Sequence, residues 1–263
     1  LFPANVRDRL FQQEKPPDAK KATAFFNQPS GIAKKDGLGS LPIADLFPKC
    51  TVCFADIAGF TAWSSSREPT QVFTLLETIY GKFDSLARKR KVFKVETIGD
   101  CYMCVTGCPD QQDDHALRMV QFARKCLEKM NQVTRELEVS LGPDTGNLTM
   151  RIGIHSGPVT AGVLRGEKSR FQLFGDTVNT ASRMESNSVA GRIHVSQSTG
   201  IALTARGKGH WVSPRKDKIV AKGKGEMQTY WVQIKSGGSS TANTSVYSSA
   251  TGTSAQEDDE GLH

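Results

Sequence analysis

Two aspartates are the residues whose type and placement point most directly to chemistry. Asp56 closes an apolar run, Thr51-Val52-Cys53-Phe54-Ala55-Asp56, and Gly59 follows it. Asp100 sits at the tip Ile98-Gly99-Asp100 between two strand-like runs, 92–97 and 101–105. A single Asp at a hairpin tip is explained by turn chemistry. Two carboxylates on neighbouring strand ends can instead share hard, oxygen-seeking cations such as Mg²⁺, which is what metal-assisted phosphoryl chemistry requires. Just past Asp56, the backbone N–H groups of Gly59, Phe60 and Thr61 are free to face a phosphate.

The elements around these residues alternate strand and helix. The first strand, 50–57, is apolar on both faces, as a central strand should be. Residues 68–90 place Val72, Leu75, Leu76, Ile79, Tyr80, Phe83 and Leu86 at helical spacing, opened by Glu68-Pro69. The 92–105 hairpin follows, then a second amphipathic helix over 113–137 and a strand over 148–155. The order β-α-β-β-α-β predicts an α+β fold, the ferredoxin-like split βαβ sheet with helices on one face. Farther on come a possible strand at 159–164, a short strand 171–174, a helix 177–187, and strands 192–195 and 227–232. Lys222-Gly223-Lys224-Gly225 reads as a basic, glycine-rich loop between the last two.

Composition narrows the function classes. The chain has 263 residues, 38% hydrophobic and 23% charged, with net charge +7. Four acids and no Lys or Arg fall in 236–263, so the rest is more basic still, suiting an anionic partner such as a nucleoside triphosphate. Aromatic-basic interleaving of the RNA-binding kind is missing, so no nucleic acid is expected as partner. No run of 18 or more apolar residues occurs, so this stretch inserts into no membrane as a helix. Of six cysteines, Cys50/Cys53 and Cys101/Cys104 form two CxxC spacings inside strand-like runs. Residues three apart on a strand face opposite ways and cannot share zinc. Buried, reduced core thiols are expected, consistent with a cytoplasmic setting.

Four blocks, in order, carry a resemblance: 54–61 (FADIAGFT), 94–100 (KVETIGD), 151–157 (RIGIHSG) and 174–184 (FGDTVNTASRM). They resemble the class III nucleotidyl cyclases, guanylate-cyclase-like, over roughly 46–234. The resemblance implies a domain that dimerises head to tail, with sites in the cleft between subunits. It implies conversion of a nucleoside triphosphate to a 3′,5′-cyclic monophosphate and pyrophosphate. Asp56 and Asp100 match the family's metal-binding aspartates, with Ile57 adding a backbone carbonyl; two Mg²⁺ are implied, Mn²⁺ also serving. Asn179 and Arg183, four apart on one helical face, match its ribose-positioning and transition-state residues. Lys222 and Arg151 match phosphate contacts, Arg151 having a strand-face salt bridge as its equal alternative. His155 reads as a structural hydrogen-bonding residue.

The family reads its purine with two side chains, here Glu96 and Gln172. Guanine offers N1–H and N2–H donors and an O6 acceptor, whereas adenine offers an N1 acceptor and N6–H donors. An ionised Glu96 accepts both guanine donors but meets adenine N1 lone pair to lone pair. Gln172 can donate to O6 or, flipped, accept from N6, and it departs from the guanylate pattern. GTP is therefore the expected substrate, with ATP or dual specificity the alternative and a non-catalytic regulatory cyclase-homology domain the second alternative. A metal-dependent polymerase-like domain on the same scaffold lacks the 174–184 block. The expected organisation is a helical linker segment 1–13, a flexible linker 14–45, a catalytic domain 46–235 and a disordered tail 236–263. The start, without Met, looks like a fragment of a longer protein, with a membrane-tethered parent as the expected setting, and a homodimer would carry two complete sites.

Overall fold

A computed structural model describes residues 43–164, 170–221 and 223–234. The expected helical segment 1–13, the expected linker 14–45 as far as residue 42, the tail from 236 and Lys222 lie outside the described residues, whereas 43–45 of that linker belong to the first strand. All elements below belong to the unit Leu1–Gln233.

The first strand is longer than expected: β1 runs Ile43–Ala58 and lies between β3 (Cys101–Thr106) and β4 (Thr149–Leu164). β2 (Phe93–Ile98) pairs with β3, so the sheet begins β2-β3-β1-β4, all antiparallel neighbours. This is the split βαβ order, in which β1 and β2 run parallel with β3 between them. The sheet continues through β6 (Ile193–Ser196), parallel to β4, then β10 (Thr229–Val232) and β7 (Val212–Pro214). β5 (Arg170–Phe174) pairs with the far end of β4, and β8 (Ile219–Ala221) with β9 (Gly225–Met227) forms a separate hairpin.

A short α1 (Phe60–Ser64) precedes α2 (Pro69–Arg90), whose first turn is closed by Glu68 N–H donating to Gln71 Oε1 at 3.2 Å. Pro69 has no N–H to leave unpaired there. Leu75, Ile79, Phe83 and Ala87 are the buried stripe of α2. α3 (His115–Leu141) runs past the expected end at 137 because Leu141 is also buried and extends its apolar face. α2 and α3 cover the face of the sheet made by Cys53, Ala55, Ile57, Tyr102 and Cys104. That face matches the expectation of helices on one side. A further helix, α4 (Asp176–Ser186), lies on the other face, where Ala181 and Val178 meet Val52, Phe54, Met103 and Leu173. Cys50 belongs to this second cluster and Cys53 to the first, as strand alternation requires. Cys101 is half-buried rather than fully buried like the other five thiols.

Glycine makes the α4 contact possible. A Cβ on Gly153 would lie 1.8 Å from the Glu185 backbone nitrogen, and one on Gly157 would lie 2.6 Å from Thr177 Oγ1. Both glycines are on β4, four apart and therefore on one face, and they let the helix backbone descend onto the strand.

An eight-residue helix, α5 (Gln197–Thr204), has no counterpart in the sequence reading. Its signal was the cap: Ser196 Oγ accepts from the Thr199 N–H.

Candidate active site

The ends of β1, β3 and β4 meet at the two aspartates. Asp56 stands opposite Cys101 on β3, next to Asp100, and opposite Arg151 on β4. The hairpin tip that carries Asp100 is turned by Gly99 at φ 61° and held from α2 by Tyr80 Oη, which donates to Gly99 O at 3.0 Å. Burial and the charge of Asp100 push the Tyr80 phenol well up, so it stays protonated and keeps donating.

Asp56 is pushed up from its ordinary 3.8 to about 6, first by burial, then by the charges of Asp100 and Glu185; Arg151 opposes this. The two aspartates are thus close enough to resist joint ionisation, an arrangement that a cation relieves. The β1–β3 ladder ends at Asp56, and Ile57, with its side chain in the main core, is the first residue beyond it. Among the described residues no group of three His, Cys, Asp or Glu forms a closed metal cage. Two carboxylates and a carbonyl fit Mg²⁺, which keeps waters and takes remaining ligands from substrate phosphates.

Arg151 forks between two acids. Its Nη2 donates to Asp56 Oδ2 at 2.8 Å and its Nε to Glu185 Oε1 at 2.5 Å. The salt-bridge alternative for Arg151 is therefore present. Glu185 is a residue the sequence reading missed. It lies in α4 two positions after Arg183, and nothing local in the sequence marks it as the partner of a strand arginine.

Beyond Asp56, Gly59 turns the chain at φ 87° into α1, whose start has no side-chain cap. The N–H groups of Phe60 and Thr61 therefore have no partner from within the helix. On α4 the buried stripe is Thr177, Thr180, Ala181 and Met184. Asn179 is exposed and Arg183 half-buried on the outer side, and neither side chain has a hydrogen bond or ion pair among the described residues.

Glu96 owes its direction to a β-bulge. β2 pairs Lys94 with Cys104 but Glu96 with Met103, so one extra residue is absorbed at Val95. Cys104 faces the α2/α3 core and Met103 the opposite cluster, so Glu96 turns away from Lys94 toward the α4 face. Lys94 instead reaches Asp84 and lies over the Tyr102 ring at 5.1 Å. Glu96 is half-buried and unpaired among the described residues. Phe93 and Phe171 meet edge-on with centroids 5.3 Å apart, bringing β2 against β5. Gln172 on β5 is half-buried opposite Gly162, alternating with Phe171 and Leu173, which join the second cluster. No hydrogen bond joins Glu96 to Gln172.

Lys224, in the β8–β9 turn beside Lys222, donates to Asp176 Oδ2 at 2.5 Å in the first turn of α4. His155 Nδ1 lies 2.7 Å from Ser196 Oγ, and burial lowers its pKa to about 4, so it is a neutral hydrogen-bonding residue at pH 7.

The family model described as the adenylate and guanylate cyclase catalytic domain matches residues 44–234. The chain belongs to that family. It is 41% identical over 232 residues to the receptor-type guanylate cyclase gcy-28 of Caenorhabditis elegans, covering 84% of this chain and 17% of the relative. It is 40% identical over 229 residues to human atrial natriuretic peptide receptor 2, covering 86% of this chain and 21% of the relative. Among solved structures, the guanylate cyclase domain of RhGC from Catenaria anguillulae in complex with GTP has TM-score 0.64 and 42% identity, covering 72% of this chain and 98% of that domain. The class III cyclase fold is thereby shown. The chain spans about a fifth of the length of these curated relatives.

Proposed function

We propose that this chain converts GTP to 3′,5′-cyclic GMP and pyrophosphate at two sites shared across a homodimer. The observation that carries the choice of base is Glu96: a half-buried carboxylate without a partner among the described residues, turned by the Val95 bulge to the face where β5 and α4 lie. Leaving such a group unpaired is costly, and guanine N1–H and N2–H would satisfy it. Gln172 would donate its amide to O6.

Asp56 and Asp100, with the Ile57 carbonyl, would hold two Mg²⁺. When bound, these ions lower the pKa of the ribose 3′-hydroxyl and neutralise the triphosphate. The 3′-oxygen attacks the α-phosphate, its proton passes to substrate or solvent, and pyrophosphate leaves. Arg183 donates to the α-phosphate as its charge grows, the electrostatic role that usually dominates, and Asn179 orients the ribose. The N–H groups at Gly59, Phe60 and Thr61 face the phosphates, with Lys222 and Arg151 beside the terminal ones. Asn179 and Arg183 lie on the outer side of α4 without partners among the described residues, while Asp56 lies beside the β2–β3 tip that carries Asp100. That division favours a head-to-tail dimer in which each site takes its metal ligands from one subunit and its base readers, Asn179 and Arg183 from the other.

Among the described residues no helix is long and apolar enough to cross a membrane. With relatives named as receptor-type cyclases of far greater length, we place the chain on the cytoplasmic side of a larger protein.

Product identity tests the reading. The full chain incubated with Mg²⁺ and either GTP or ATP should give chiefly cyclic GMP, and Glu96→Lys with Gln172→Asp should shift it toward cyclic AMP. Cyclic AMP from the unmodified chain would refute the Glu96 assignment. No product from either nucleotide by a dimeric chain would make it a regulatory domain.

A further inference from the structure

The last turn of α4 is held by a residue that touches no part of the site. A helix leaves its final carbonyls without N–H partners. In α4 Asn187 and Ser188 take Arg183 O and Glu185 O locally, Met184 O is taken from β6, and Arg215, after β7, holds Asn187 O just past the helix end. Arg183 O receives the Asn187 N–H and the Asn187 amide, the latter at 2.9 Å. Asn187 O receives Arg215 Nη1 at 2.6 Å. Met184 O, between them, lies 2.8 Å from Nδ1 of His194 on β6.

His194 is fully buried, and both ring nitrogens are engaged, the second with Thr229 Oγ1 at 2.7 Å. A carbonyl oxygen only accepts, so Nδ1 carries the hydrogen and Nε2 accepts from the Thr229 hydroxyl. The ring also lies against Trp231, centroids 4.8 Å apart, and Trp231 is flanked by the guanidinium groups of Arg192 and Arg215 at 4.2 and 5.0 Å. Burial lowers the His194 pKa to about 4, so this tautomer is the neutral one across the physiological range.

Met184 separates the two residues of α4 that matter on either side. Arg183 projects outward, and Glu185 holds Arg151, which holds Asp56. We propose that His194, seconded by Arg215, is a positioning residue for the reaction: by gripping the Met184 carbonyl it fixes the last turn of α4. It thereby sets both Arg183 and the Glu185–Arg151–Asp56 chain. The inference rests on the reading of Arg183 as a transition-state group.

Side-chain amides can dissect the two nitrogens. Asn at 194 places its amide where Nδ1 lies and keeps a donor for Met184 O; Gln reaches to the Nε2 position and keeps only Thr229. Both lose the ring against Trp231, so both lose thermal stability alike. For the full chain with Mg²⁺ and GTP, H194N should keep kcat within about threefold. H194Q should lose about tenfold or more in kcat with KM little changed, since displacing a catalytic group by about 1 Å can cost 10²-fold. H194Q with full kcat, or equal losses in both variants, overturns the proposal. Should H194Q fail to fold, R215Q carries the test: it loses the bond to Asn187 O, and an undiminished kcat overturns the proposal. R183A run alongside separates the two levels. Its retained rate refutes the Arg183 reading and the role of His194 with it, whereas an inactive R183A beside a fully active H194Q refutes His194 alone.

Discussion

Asp56→Asn should make the metal-free protein more stable while abolishing its activity. In the folded chain the carboxyl is raised from 3.8 to about 6. Between these values the folded state binds a proton that the unfolded state releases, so stability falls as pH rises through the window. The full shift corresponds to about 3 kcal/mol at about 1.4 kcal/mol per pH unit. The side chain is 19% exposed, and solvent screening reduces the figure to about 1–2 kcal/mol. An asparagine resembles the protonated acid at every pH and removes the penalty. For a domain of this size the gain is about 3–6 °C in Tm at about pH 7.5 in a chelator, shrinking toward zero at about pH 4. Scanning calorimetry of both proteins at the two pH values measures it, and added Mg²⁺ should raise the Tm of the unmodified chain but not of the variant. A variant less stable at neutral pH, or a gap that does not change with pH, would refute the reasoning that like charge and burial dominate at Asp56.

Gly153→Ala should cost about 1–3 kcal/mol or more by overpacking, because its Cβ meets the α4 backbone and cannot be relieved by a rotamer change; urea unfolding and a parallel loss of kcat check it. Tyr80→Phe removes the bond to Gly99 O, worth about 1 kcal/mol. It should raise the Mg²⁺ concentration for half-maximal rate about fivefold, read from a metal titration at saturating GTP.

The candidate site residues stand out in the sequence where local patterns are strong. Asp56 ends an apolar strand, Asp100 marks a turn, and Asn179 and Arg183 keep helical spacing. The βαββαβ order follows from alternating periods of two and 3.6 residues. What escaped the sequence depends on contacts between distant segments. The Val95 bulge changes the face of Glu96, yet nothing in Lys94-Val95-Glu96 distinguishes a bulged strand from a regular one. Glu185 and His194 act through partners 34 and 10 residues away, and no spacing rule links them. The descent of α4 onto the second face of the sheet is written only in Gly153 and Gly157, whose meaning appears once the helix is in place. The helix α5 was missed because its eight residues are too few to show a clear period.

The central claim, a site completed by two copies of the chain, is tested most directly by mixing two inactive variants. Asp100→Asn removes a proposed metal ligand and Arg183→Ala the proposed transition-state group, so each alone should be inactive with GTP. Random reassortment puts about half of the dimers in mixed form, each with one intact site of two. Cyclic GMP formation should then recover to about a quarter of the unmodified rate. Recovery near that level supports shared sites. A mixture as inactive as its components, while dimers demonstrably exchange, would mean that each chain builds its site alone and would contradict the account.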